Sequence, residues 1–383
     1  MLRKNLDRCN YILLLISLWS AYLIVKILTI FSFVFSKTKK GDVIFFPHEQ
    51  IGSDGYTKRF EQYFPFFNKD KIVYHVAELF PDAYIKRNLF GSKSRQYYLY
   101  HRIIWKRIPQ VLSARKYKHA FIHRRLFAYY PDSKKAHLEK LLRKLNEDIS
   151  VDFWDSVWLK SPELYEDIVI HVDKISVVNQ FVYDHFKKYP TKKYLFPIAI
   201  DESAYVIKKS FAFEKEIKLV WTGLPHSVLQ IMALREVFLK ILEKYPIAIV
   251  IISAKEVQIE GLKVLWKKWE KETFANIIAS CDIALYPFEN TDEGKGKMAM
   301  KVIEYMACGV PTIGANVGIT PYAKDNETIL FAETHEEWYN AIIKLIEDEA
   351  LRMKISKNGL SLVAQYHSVK LSYNTFKEII FSN

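Results

Sequence analysis

The sequence predicts an α/β fold of two tandem, doubly wound parallel-sheet domains with a cleft between them, preceded by one hydrophobic helix. Three observations predict it. Short apolar runs ending in Pro, Gly or polar residues alternate with helix-patterned stretches, the signature of parallel sheets. The alternation occurs in two blocks of a 383-residue chain, which is too long for one comfortable core. A continuous apolar run stands before both blocks.

Half of the residues are hydrophobic, Gly and Pro contents are ordinary, and no repeat or low-complexity tract is present. The chain therefore reads as a folded enzyme or binding protein, not as a disordered or fibrous one. Cys9, Cys281 and Cys308 are far apart, without a CxxC pair or a His at metal-ligand spacing. That pattern supports neither a disulfide framework nor a zinc site and fits a reducing compartment; Cys281 and Cys308 read as small core residues. The formal net charge of +13 is concentrated in two places. Residues 1–40 carry +6, from Arg3, Lys4, Arg8, Lys26, Lys37, Lys39 and Lys40 against Asp7. Residues 86–125 carry twelve Lys or Arg and no acid, which leaves the remainder net acidic.

Residues 1–40 form the first segment. Tyr11 to Phe35 is apolar apart from hydroxyls and Lys26, has no Pro or Gly, and is as long as a bilayer-crossing helix. A removed signal peptide would need a shorter apolar run and a small-residue cleavage site, and neither is present. Lys26 leaves two membrane geometries open, a tilted span with the lysine snorkelling or a helix lying in the interface. A helix packed on the next domain is the third reading. Lys37, Lys39 and Lys40 favour a cytoplasmic location for the domain after them.

Residues 41–204 are expected to form the first domain. Asp42 to Pro47 reads as a buried strand, followed by a loop with Gly52 and Gly55 and then Lys58 and Arg59 at a helix start, an arrangement able to accept an anion. Plain turn glycines are the alternative. Further strand-like runs are Ile72 to Phe80, His119 to His123, Ile149 to Trp154 and Ile175 to Asn179. Ligands of parallel sheets lie beyond the carboxyl ends of strands, which singles out His123, Asp152 and Asp155. His123 reads as an acid-base or positioning group or as a packing residue. The two carboxylates suit acid-base work or hydroxyl binding, and Asp155 equally a helix cap. The acid-free stretch Lys86 to Arg125 interleaves its charges with Tyr97, Tyr98, Tyr100 and Trp105. It suits anionic lipid headgroups or a lipid diphosphate, a solvated face, or nucleic acid.

Residues 205–383 repeat the pattern, with strand-like runs at Lys218 to Pro225, Ile247 to Ala254, Asp282 to Pro287 and Pro311 to Ala315. Between the last two, FENTDEGKGKMAMKVIEYMACGVP places Gly294 and Gly296 in a flexible loop before a helix over about Lys297 to Ala307, stopped by Gly309 and Pro311. The amides and dipole of such a helix start accept a diphosphate. Lys297, Lys301 and Glu304 share one face at i, i+4 and i+7. The lysines can neutralise phosphate and the carboxylate can accept two hydrogen bonds from a ribose diol; an exposed salt-bridged face is the alternative.

YPFENTDEGKGKMAMKVIEYMACGVPTIGANVG resembles the donor-site signature of glycosyltransferase family 4, retaining enzymes of the GT-B fold. VWTG, ASCDIALYP and EEWYNAIIKLIEDEALRMKISKNG occur in that family's usual order. FIHRRLF, VDFWDSVW, VVNQFVYDHF and FPIAID resemble segments of a bacterial branch that makes surface polysaccharides. The resemblance implies two Rossmann-like domains and a nucleoside-diphosphate sugar as co-substrate, with no metal and no other cofactor. It implies transfer to a lipid-linked or membrane-associated glycan acceptor. Glu304 matches the second glutamate of the E-x7-E pattern, which holds the nucleotide ribose. Gly296 stands where the first glutamate belongs, and the Arg and Lys expected after the domain's first strand are absent, Gly223 being followed by Leu224, Pro225 and His226. Lys297 is the candidate replacement for that diphosphate grip, with Gly223, Gly294, Gly296 and Lys301 completing the donor site. Gly52, Gly55 and His123 are assigned to the acceptor side, so that catalytic roles fall on Lys297, Glu304 and His123. The resulting expectation is a hexosyltransferase at the cytoplasmic face of the inner membrane. The alternatives are a catalytically inactive membrane-tethered partner of a glycan-assembly complex and a sugar-nucleotide epimerase; specific nucleic-acid binding is not expected.

Overall fold

The computed structural model describes residues 2–34, 39–224 and 227–382; Lys37 of the basic flank, and Pro225 and His226 after Gly223, lie outside the described residues. The chain divides into two compact units, one of residues 1–196 with 373–383, the other of residues 197–372. A boundary at 204/205 is expected from the sequence. The observed one lies eight residues earlier, and the last segment returns to the first unit. Phe376 explains the return: its ring lies 4.8 Å from Tyr63, 5.1 Å from Phe196 and 5.2 Å from Phe121, in the aromatic core of that unit.

The first unit holds a six-stranded parallel sheet of β1 (Gly41–Phe46), β2 (Tyr74–Val76), β3 (Tyr117–His123), β4 (Asp148–Phe153), β5 (Lys174–Val177) and β6 (Lys192–Leu195), in the order β2-β1-β3-β4-β5-β6. Phe45 is in register with Phe121, and Ile122 with Val151. The second unit repeats the architecture with β7 (Ile217–Thr222), β8 (Ile247–Ser253), β9 (Val264–Lys268), β10 (Ile283–Tyr286), β11 (Thr312–Gly314) and β12 (Leu330–Phe331), in the order β12-β11-β10-β7-β8-β9. Central strands such as β8 are buried at every position, as strands covered on both faces must be. Three strands were not expected. β6, β9 and β12 lie at sheet edges, where half-exposed residues and lysines replace a continuous apolar run.

The N-terminal helix, Leu2–Ile30, packs one face on the first unit. Leu14, Ser17, Ala21 and Val25 are buried at helical spacing. Polar ties fasten the same face: Asn10 donates to Ser94 Oγ, the Ser94 amide donates to Asp7 Oδ1 at 2.9 Å, and Ser17 hydrogen-bonds His101. The opposite face leaves Ile12, Leu15, Ile16, Trp19, Leu23 and Ile27 exposed. The stretch Leu6–Ile30, with a mean hydropathy of 2.1, is long and apolar enough to cross a membrane. The packed-helix reading and an apolar outer surface therefore coexist.

Candidate functional site

In a doubly wound sheet the crevice outside the carboxyl ends, where strand order reverses, is the place left open for a ligand. In the second unit the order reverses between β7 and β10. A cavity of about 360 Å3 lies at this edge, lined by Leu229 and Ala233 after β7, Phe288 and Glu289 after β10, Val317 after β11 and Trp338 after β12.

β7 ends at Thr222 and the chain turns at Gly223. A Cβ at position 223 would fall 2.3 Å from the Trp221 ring and 2.9 Å from Lys301 Nζ, so only glycine lets the backbone run against both. Lys301 stands on the helix Met300–Ala307, its Nζ 4.7 Å from the centre of the Trp221 ring. Burial lowers its pKa to about 8, because the ammonium has lost much of its water; nearby Glu304 opposes the shift and Lys297 adds to it. The helix is fixed to β7 through Tyr305, whose hydroxyl accepts from the Thr222 amide at 2.9 Å. Glu304, one turn beyond Lys301, is only 8% exposed and accepts a hydrogen bond from the Tyr205 hydroxyl at 3.2 Å.

Lys297 is not on that helix. The helix begins at Met300, because the Ala299 amide is drawn to Gly318 O at 2.8 Å and the Lys297 amide to Gly294 O at 3.0 Å. The shared face is therefore reduced to Lys301 and Glu304. Lys297 is an exposed residue paired with Glu293 at 3.3 Å. Gly294 lies not in a loop but in a short helix, Asp292–Lys295, capped by Thr291 Oγ1, and Gly296 closes it. Gly294 packs beneath the cavity wall, since a Cβ there would meet Glu289 O at 2.7 Å. Trp221, Tyr205 and Tyr305 are the neighbours that sequence reasoning missed; local spacing carries no signal for them.

In the first unit the order reverses between β1 and β3. At the Gly55 end of the expected anion site the space is taken by the protein's own Glu49. Gly55 lies inside the helix Asp54–Arg59, which Ser53 caps, and a Cβ there would fall 1.7 Å from Glu49 Oε2. Gly52 is a turn residue with φ +85° and open space around it. His123 is fully buried, 5.4 Å from the Phe60 ring. Its pKa is pushed well below the usual histidine value by burial and then by Arg124 and Arg59, so it stays neutral. Asp152 is held by Arg59, whose Nε donates to Oδ2 at 2.7 Å, and by Ser176 Oγ at 2.6 Å. Asp155 pairs with Arg124 at 2.9 Å and caps no helix. Of the basic stretch, Arg107 is buried and donates to the carbonyls of Leu126, Ala77 and Pro47, so it braces the fold.

Comparison with known proteins bears on both units. HepE of Anabaena, solved with UDP and glucose, superposes with a TM-score of 0.59 at 14% identity over 90% of this chain and 100% of its own. The lipopolysaccharide outer core galactosyltransferase WaaB does so at 0.58 and 12% identity, over 89% and 99%. The sucrose-phosphate synthase of Thermosynechococcus elongatus reaches 0.52 at 14% identity, over 73% and 78%. The fold is GT-B. Residues 217–348, in the second unit, match the sequence model of the family described as Glycosyl transferases group 1. A D-inositol 3-phosphate glycosyltransferase of Stackebrandtia nassauensis is 30% identical over 95 residues, which span 24% of this chain and 20% of that relative. The family model is thus matched within the second unit alone, and the chain spans about a fifth of the length of that curated relative.

Proposed function

We propose that the protein is a retaining glycosyltransferase that moves a sugar from a nucleoside diphosphate to a lipid-linked or membrane-associated glycan in cell-surface polysaccharide synthesis. One observation carries the reading: Lys301 and Glu304 stand on successive turns of one helix, the first desolvated against Gly223, the second buried and oriented by Tyr205. A cation beside a side-chain-free turn is suited to the departing diphosphate, and a fixed carboxylate to the two ribose hydroxyls. Stabilising the leaving diphosphate in a site held ready for it is the main catalytic work in such a reaction. The reading invokes no metal. The apolar outer face of the N-terminal helix supports membrane attachment, which this reading assigns to the cytoplasmic face of the inner membrane.

The test is a thermal-shift panel of UDP-, GDP- and dTDP-sugars, with Glu304→Ala as the control. UDP comes first, since HepE was solved with it. A shift that Glu304→Ala removes supports the donor site. Gly296, where the resembled family carries a glutamate, favours a second reading as an inactive tethered partner, and silence from all three nucleotide classes would select it.

A further inference from the structure

Beneath the N-terminal helix lies a second cavity of about 360 Å3, wholly within the first unit. That volume falls in the range of about 300–1,000 Å3 in which small-molecule sites occur. Its apolar part is formed by Leu18, Ala21 and Val25 of the helix together with Ile104, Phe127 and Leu138. Its polar part carries Arg125, Ser133, Lys134 and Lys135.

Arg125 is the anomaly. Its Nε and Nη1 are buried without a hydrogen-bond partner. Asp132 and Glu139 line the same cavity, yet neither is within ion-pair distance of Arg125; Glu139 instead accepts from the Leu126 amide at 2.8 Å. Lys134 and Lys135 are engaged by Glu163 and Asp167 at 3.7 and 3.9 Å. Buried guanidinium donors without an acceptor are costly, and their planar fork matches a phosphate or carboxylate.

We propose that this cavity binds a single anionic membrane lipid, with the headgroup phosphate on Arg125 and the adjoining hydrocarbon against Leu18, Ala21 and Val25. A water-soluble anion would gain nothing from the apolar part. A lipid would reach it from a leaflet, because the helix that roofs the cavity turns Ile12, Ile16, Trp19 and Leu23 outward. Phe90, 80% exposed, and the exposed Lys86, Arg87, Lys93 and Arg95 belong to the same unit and suit an anionic membrane surface. The site goes beyond the proposed transfer reaction and asks nothing of the donor site.

The test is native mass spectrometry of the full-length protein in neutral detergent, titrated with dioctanoyl phosphatidic acid, dioctanoyl phosphatidylcholine or inorganic phosphate. One phosphatidic acid per chain is expected, weakened at least about tenfold by Arg125→Gln through loss of the charged hydrogen bonds. Ala21→Phe, which fills the apolar part from the helix side, is expected to weaken it as well. If Arg125→Gln no longer melts cooperatively, Ala21→Phe decides alone. Undiminished binding by a folded variant overturns the proposal, as does phosphatidylcholine or inorganic phosphate binding as tightly as phosphatidic acid. The nucleotide-sugar shift, measured on the same samples, reports separately on the donor site.

Discussion

The two sheets reverse their strand order in the same manner, yet their carboxyl edges are chemically opposite. In the first unit the charged groups at that edge, Arg125 apart, are paired: Arg59 grips Asp152, Arg124 grips Asp155 and lies 3.7 Å from Glu49, which closes over Gly55. In the second unit Lys301 has no carboxylate within ion-pair distance among the described residues, and it has lost enough water for its pKa to fall to about 8. A paired edge rigidifies a fold. A desolvated cation beside a glycine turn is a cost to the empty protein that an anionic ligand removes. The difference teaches that motif position alone does not mark a site; what marks it is whether the charges there are already satisfied.

The largest effect should come from opening the first edge. Arg59→Met leaves Asp152 buried without its cation and is expected to destabilise the chain by about 3–5 kcal/mol in denaturant unfolding. A variant that unfolds normally but no longer transfers sugar would break the comparison, because the first edge would then be acting chemically. Next in size is Glu304→Ala, expected to weaken nucleotide-sugar binding by about tenfold or more, ~1.4 kcal/mol, with little change in melting temperature without ligand. Unchanged affinity would remove Glu304 from the donor site.

How much of this was legible in the sequence depends on where the determining contacts lie. Strands such as β3, β4 and β8 were legible because burial on both faces demands continuous apolar runs, whereas β6 and β9 were hidden by the lysines of edge strands. Glu304 and Lys301 were legible because i, i+3 spacing survives in any helix. Lys297 was misplaced because Ala299 bonds Gly318, nineteen residues on, and no local pattern reports that contact. The desolvation of Lys301 depends on Trp221, eighty residues earlier in the chain. Phe288 and Glu289 directly follow the β10 run, so the carboxyl-end rule would have found them.

The lowered pKa of Lys301 gives the comparison a pH axis. Between about 8 and the ordinary lysine value near 10.5 the unfolded chain holds more protons at this position than the folded one, so the ligand-free protein should gain stability as pH rises through that window. In the proposed donor site, diphosphate binding would need the charged form of Lys301. Affinity for a nucleoside diphosphate should therefore hold below about pH 8 and fall above it, by up to roughly tenfold per pH unit. Calorimetric titration across pH 7 to 10 checks this, and Lys301→Met should abolish the slope. A slope that persists in Lys301→Met would assign it to another group.

The smallest effect separates position in sequence from position in space. Lys297 is exposed and already paired with Glu293, an arrangement worth about 0–1 kcal/mol and screened by salt. Lys297→Ala should change nucleoside-diphosphate affinity by less than about threefold at low salt, and by less still at higher ionic strength. Measured beside Lys301→Met, it distinguishes two sources of the proposed diphosphate grip: a desolvated cation held ready before the ligand arrives, or a surface lysine that must leave its carboxylate and reach inward. Equal losses from the two substitutions would favour the second, and would mean that the segment Gly294–Ala299 reorganises on binding.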